Sequence, residues 1–204
     1  MKGIPPAPEV RRVTQADVRE VSKVLARAFD DDPVSIFIFP DDRRRLRQLE
    51  HFFRLQIGRT FLHRGEGYTT EECHGAAFWM TPTSGKPSFW EALQQLPLLF
   101  VVGRRIAPTM QLLALLDSHH PKTPHYYLGT IGTDPAWQGH GIGSAMLGPI
   151  LTRCDSEGIP AYLESSKEQN LSFYGRHGFK VREEIVAQGG PRLWLMWREP
   201  LSSG

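Results

Sequence analysis

Apolar residues recur at three- and four-residue intervals over three stretches of the chain and crowd into short runs between them. Val18, Val21, Leu25, Ala28 and Phe29 mark one helix face, opened by Thr14 with Asp17 three residues on, a short acidic version of the capping box. Leu46, Leu49, Phe53, Ile57 and Phe61 mark a second buried stripe, started by Asp41 and Asp42, with Arg43, Arg44, Arg45 and Arg47 expected on the wet side. Ile142, Met146, Ile150, Leu151 and Cys154 mark a third, ended at Gly158 and Pro160, and Pro149 inside it is expected to kink the helix or open a hydrogen bond. Strands are expected over residues 9–13, 68–72, 74–81, 126–133 and 161–165, with a turn at Gly65-Glu66-Gly67 before the second. Residues 35–40 form an aromatic and aliphatic patch, 88–118 read as mixed helix broken at Pro97, Gly103 and Pro108, and 170–177 as a short helix ended by Gly178. A hairpin over 179–186 and 192–197 turns at Gln188-Gly189-Gly190-Pro191. Alternating strands and helices of this kind predict an α/β (α+β) fold, with a single domain over 9–200 behind a proline-rich leader of residues 1–8.

Composition changes this picture little. The 204 residues are 40% hydrophobic and 23% charged with a net charge of +2, which favours neither a nucleic-acid nor a membrane partner. Cys73 and Cys154 are too few for a disulfide framework, the first residues lack the apolar core of a signal peptide, and runs such as 97–102 fall short of a membrane span. The expectation is a cytoplasmic monomer or homodimer. Asp30-Asp31-Asp32 before Pro33 is either a solvated turn or the source of a carboxylate for a cationic substrate.

Chemistry concentrates in residues 131–144, Ile-Gly-Thr-Asp-Pro-Ala-Trp-Gln-Gly-His-Gly-Ile-Gly-Ser, where an apolar strand runs through spaced glycines into a helix start. Unbonded N–H groups and the helix dipole make such a place a phosphate site. Gly139, Gly141 and Gly143 do not match the dinucleotide fingerprint G-x-G-x-x-G, and the P-loop spacing is absent. The stretch from Gln138 to Gly143 is instead Q-x-x-G-x-G, which resembles the pyrophosphate loop of the GNAT superfamily of acetyl-CoA-dependent N-acetyltransferases. Residues 170–179, Asn-Leu-Ser-Phe-Tyr-Gly-Arg-His-Gly-Phe, are similar to the superfamily's N-x-x-x-F/Y-Y-x-x-x-G-F segment, with one residue fewer between asparagine and aromatic pair. Residues 121–124, 161–166, 170–174 and 190–194 are similar, in order, to the puromycin N-acetyltransferase branch; before residue 121 the best matched piece is 28–33.

The resemblance implies a GNAT-like domain with a central mixed, mostly antiparallel sheet flanked by helices, and acetyl-CoA as cosubstrate; the spacing of the histidines predicts no metal. It places the pyrophosphate on the backbone of Gln138, Gly139, His140, Gly141, Ile142, Gly143 and Ser144, with His140 either touching a phosphate or simply exposed on the loop. It further implies that Ile131, Gly132 and Thr133 meet the pantetheine arm, that Asn170 contacts the cosubstrate, and that Tyr174 either protonates the departing thiolate or is a packed core tyrosine. Glu164, a carboxylate within an apolar strand, is the candidate general base; pairing with an arginine or holding the substrate ammonium are the alternatives. Phe29, Asp30, Phe37, Trp79 and Trp90 are candidate acceptor contacts, and His119, His120 and His125 show no metal-ligand spacing. The reading is acetyl transfer to the primary amine of a small molecule, a puromycin-like aminonucleoside or antibiotic among them. A protein lysine or N-terminal acetyltransferase and a non-catalytic acyl-CoA sensor stand beside it.

Overall fold

A computed structural model describes residues 8–84 and 101–201. Seven strands form one sheet: β1 (Val10–Arg12), β2 (Gly65–Thr70), β3 (Gly75–Met80), β4 (Tyr126–Thr133), β5 (Ala161–Ser165), β6 (Lys180–Val186) and β7 (Arg192–Arg198), in the spatial order β1-β2-β3-β4-β5-β7-β6. Every pairing is antiparallel except β4 with β5. That parallel ladder pairs only Tyr126 with Ala161, Tyr127 with Tyr162 and Leu128 with Leu163. A register shift opposite Phe78 and Trp79 skips Gly129, so β4 bulges where it leaves its neighbour. From Gly129 and Glu164 onward the two strands go on unpaired, leaving a gap in the middle of the sheet.

Helices cover both faces. On one face lie α1 (Val18–Ala28), α2 (Pro33–Ile38), α3 (Asp42–Gln56) and, after a π-helical turn at Ile57–Phe61, the single turn α4 (Leu62–Arg64), together with α5 (Ile106–His119). The other face carries α6 (Ile142–Glu157) and the short α7 (Leu171–Arg176). Side chains alternate across a strand, so Leu163 joins the α6 core while Tyr162 joins the α5 core. Met146, Leu147 and Ile150 of α6 are fully buried, each contributing about 1.5–3 kcal/mol of apolar transfer. The helix runs unbroken through Pro149 and stops at left-handed Gly158.

The observed elements differ from the expected ones in four places. Gly65-Glu66-Gly67 is the start of β2 rather than a turn, because a side chain at Gly65 would sit 2.2 Å from the Trp79 carbonyl and one at Gly67 2.5 Å from the Phe78 ring. The patch at 35–40 is mostly helix α2, N-capped by Asp32 with Pro33 at its first position. In α3, Arg45 is buried and Leu46 exposed, because Arg45 faces the α1–α2 connection and reaches Asp30, Asp42 and the Phe39 carbonyl. Within the stretch expected to be broken helix, α5 is continuous with Pro108 in its first turn, where no N–H is required; residues 88–100 of that stretch lie outside the described residues.

Candidate active site

A cleft of about 750 Å³ opens at the C-terminal end of β4, between the α1–α2 connection, the N-terminus of α6 and α7. Its floor is Ile131, Gly132 and Thr133; its loop side is Gln138, Gly139, Gly141, Ile142, Gly143 and Ser144; its far wall includes Asn170, Phe173 and Tyr174. Gly141 caps α6 at φ 79°, a left-handed conformation that costs any other residue, and Ala145 N–H donates to its carbonyl. The N–H groups of Ile142, Gly143 and Ser144 precede that first helical bond and have no partner within the helix. Gln138 Nε2 donates to the Thr133 carbonyl at 3.3 Å and ties the loop to the strand end. Asp134 caps the turn Pro135–Trp137 and pairs with Arg27 of α1 at the cleft rim.

These donors and this volume fit a pyrophosphate with an elongated arm along β4. His140 is the exception among the expected cosubstrate residues: its Nδ1 lies 3.2 Å from the Trp137 carbonyl and 3.0 Å from that of Gln138, so the ring turns back on its own loop. Ser144 Oγ pairs with His177 Nε2 at 2.9 Å, which leaves its backbone N–H for the cleft.

Tyr174 lines the cleft yet is 6% exposed. Burial, with the nearby Asp32 charge, lifts its phenol far above the ordinary value, so it holds its proton at neutral pH. The acidic run separates into three environments. Asp30 meets Arg45, Asp31 meets Lys167, and Asp32 is buried, accepting from Val34 N–H, Ser35 N–H and Ser166 Oγ. Burial raises the Asp32 carboxyl above its usual value against the pull of those donors. Through Ser166 and Lys167 the run fastens the end of β5 to α2. Asp32 was not singled out from the sequence, although Asp before Pro33 is a helix-start signal.

Glu164 stands outside this cleft, on the opposite face of the sheet with Tyr162, one residue past the last β4–β5 pair. Its side chain is 8% exposed, with His120 Nδ1 3.7 Å away. Burial and the Glu164 charge hold both the Tyr127 and Tyr162 phenols in the protonated form. The Tyr162 hydroxyl, though near the carboxylate, has no hydrogen bond of good geometry. Of the expected acceptor contacts among the described residues, only Asp30 borders the cleft. Phe29 packs on Phe53, Phe37 lies under the Arg105 guanidinium, and Trp79 is wholly enclosed in the core; Trp90 lies outside the described residues.

The family model described as "Acetyltransferase (GNAT) family" matches residues 100–179, spanning β4, the glycine loop, α6, β5 and α7. An uncharacterised N-acetyltransferase of Schizosaccharomyces pombe is 26% identical across 93% of this chain and 83% of its own. An uncharacterised Mycobacterium leprae protein is 30% identical over 48% of this chain but only 28% of its own. A Corynebacterium glutamicum structure described as "histone acetyltransferase HPA2 and related acetyltransferase" superposes with a TM-score of 0.73 at 28% identity, covering 96% of this chain and 97% of that one. The ribosomal-protein-S18-alanine N-acetyltransferase of Escherichia coli shares the fold, with a TM-score of 0.54 at 14% identity over 96% of each chain. Residues 100–179 are thus a GNAT acetyltransferase domain, and the protein is an N-acetyltransferase; that family uses acetyl-CoA as acetyl donor. Among the described residues no helix is long and apolar enough to cross a membrane.

Proposed function

We propose that the protein transfers an acetyl group from acetyl-CoA to the primary amine of a small molecule, by direct attack in a ternary complex, with a puromycin-like aminonucleoside as the first acceptor to test. The observation that carries this reading is the gap between β4 and β5, which opens beside the donor cleft on one side and beside a buried carboxylate on the other. When bound, acetyl-CoA supplies the activated acetyl thioester. Gln138 to Ser144 hold its pyrophosphate on backbone N–H groups, and the edge of β4 at Ile131–Thr133 aligns the arm, so that the encounter becomes effectively intramolecular. Asn170, beside Tyr174 on the far wall, adds a polar contact near the arm. Glu164 takes a proton from the acceptor ammonium, and the Tyr174 hydroxyl gives its proton to the departing sulfur.

A second reading, acetylation of a protein lysine or N-terminus, is favoured by the Corynebacterium glutamicum structure whose description names a histone acetyltransferase. Thiol release from acetyl-CoA separates the readings when measured on puromycin, on other small primary amines, and on peptides with free lysine or α-amino groups. Turnover on small amines is expected. Turnover on peptides alone would select the second reading, and binding of acetyl-CoA without turnover on any amine would leave a sensor.

A further inference from the structure

Glu164 is the inner end of a chain of imidazoles whose hydrogens can be placed one by one. His125 Nδ1 lies 2.6 Å from the Thr123 carbonyl, and a carbonyl only accepts, so Nδ1 carries the hydrogen. A neutral imidazole has one N–H, which leaves a lone pair on His125 Nε2. That lone pair is 3.2 Å from His120 Nε2, so His120 donates from Nε2. In a neutral His120, Nδ1 is then bare, and it is Nδ1 that faces Glu164 Oε1 at 3.7 Å. A ring lone pair opposite a carboxylate oxygen is a place made for one added proton.

The surroundings leave that proton few other homes. Facing the pair are Tyr127 from β4, Tyr162 from β5 and His125 from the preceding loop, with the Tyr127 and Tyr162 rings edge-on to His120 at 5.0 and 5.1 Å. Both phenols keep their own protons, and burial lowers the affinity of His125 for a second one. His119 at the end of α5 turns instead to the Leu115 carbonyl and to Glu183 of β6. His120, with a third of its side chain exposed, is the member of the chain that touches both the enclosed carboxylate and water.

We propose that His120 is a positioning residue that clears Glu164 between turnovers, taking the amine-derived proton from Oε1 onto Nδ1 and releasing it to solvent. This rests on the reading of Glu164 as the base. The proton count closes: acetylation of an ammonium removes two hydrogens from nitrogen, one of which ends on the thiol and one of which must leave the protein. The second is the proton assigned to His120.

The test begins without any acceptor. Nitrogen NMR of histidine-labelled protein is expected to show His120 as the Nε2–H tautomer and His125 as the Nδ1–H tautomer near neutral pH. Glu164→Gln should move the His120 ring-nitrogen signals, because the carboxylate oxygen faces Nδ1. His120 found with its hydrogen on Nδ1, or unmoved by Glu164→Gln, would overturn the chain. The kinetic arm uses the amine turned over fastest in the panel above. His120→Gly should lower kcat and steepen its loss at low pH, and free imidazole should restore it, which a packing defect would not allow. His120→Gln, which keeps bulk, should be equally slow without rescue. If Glu164→Gln itself turns over normally while the tautomers are as expected, the base assignment fails and the relay falls with it. If Glu164→Gln is slow and His120→Gly is not, the relay alone fails.

Discussion

The proposed donor side and the proposed acceptor side of this site are built by opposite means. On the donor side one continuous stretch, the end of β4 through the first turn of α6, supplies floor, loop and helix terminus, and most contacts come from backbone. On the side proposed for the acceptor, Glu164, Tyr127, Tyr162, His120 and His125 arrive from β5, β4 and the loop after α5, and every contribution is a side chain. Backbone donors serve any sequence that leaves the loop its glycines, so this half can stay constant while the acceptor changes. Side chains gathered on the other face can be exchanged one at a time, which is how one fold accepts different amines. The two halves should therefore fail differently: donor-side changes in KM for acetyl-CoA, and acceptor-side changes in kcat.

The largest expected effect lies on the acceptor side. Glu164→Gln keeps the shape but removes the proton acceptor, and kcat is expected to fall by about 10²–10⁴-fold with KM for acetyl-CoA unchanged. Steady-state kinetics across pH 6–9 checks this, and a variant whose kcat stays within a few-fold of wild type would remove Glu164 from the chemistry. Tyr174→Phe is expected to come next, lowering kcat by about 10²-fold through loss of the proton donor. Because the phenol holds its proton far above pH 7, the wild-type profile should show no alkaline loss from Tyr174 up to pH 9. A change in acetyl-CoA binding with intact kcat would make Tyr174 part of the cleft wall alone.

The same contrast explains what the chain disclosed on its own. The donor side was legible because a strand, a spaced set of glycines and a helix start are adjacent in sequence, and local geometry alone makes them a phosphate site. Glu164 was legible as an oddity, a carboxylate in an apolar strand. Its company was not: His120 comes to face it, with His125 behind His120, through the parallel β4–β5 ladder, a long-range pairing with no local signature. Trp79 and Phe29 looked like acceptor contacts because aromatic side chains serve cores and pockets alike, and only the sheet shows that Trp79 points into the core. Arg45 and Leu46 exchanged roles for a related reason. Helical spacing identifies a stripe, but the presence of Asp30 and the Phe39 carbonyl on one side decides which flanking residue is drawn inward.

On the donor side the effects should be smaller and confined to binding. Gly141→Val forces a β-branched residue into φ 79°, at a cost of at least about 1–2 kcal/mol at the turn that aims the N–H groups. KM for acetyl-CoA is expected to rise about tenfold or more, with kcat at saturation largely retained. A fall in kcat equal to the loss in kcat/KM would mean that the loop also positions the reacting carbonyl, and the division between the halves would not hold.

The smallest expected effect tests whether side-chain charge matters at all on the donor side. Arg27 is 41% exposed and pairs with Asp134, the carboxylate that caps the turn before the glycine loop. Exposed pairs of this kind contribute about 0.2–1 kcal/mol, so Arg27→Ala should raise KM for acetyl-CoA no more than about fivefold. The rise combines two losses, a cation at the rim of a phosphate site and a partner for Asp134, and both are electrostatic. Each should therefore shrink as ionic strength grows from 0.01 to 1 M, where screening shortens from about 30 to about 3 Å. A salt-independent rise would mean that Arg27 acts by holding α1 against the loop. In that case the double variant with Asp134→Ala should be no worse than Asp134→Ala alone.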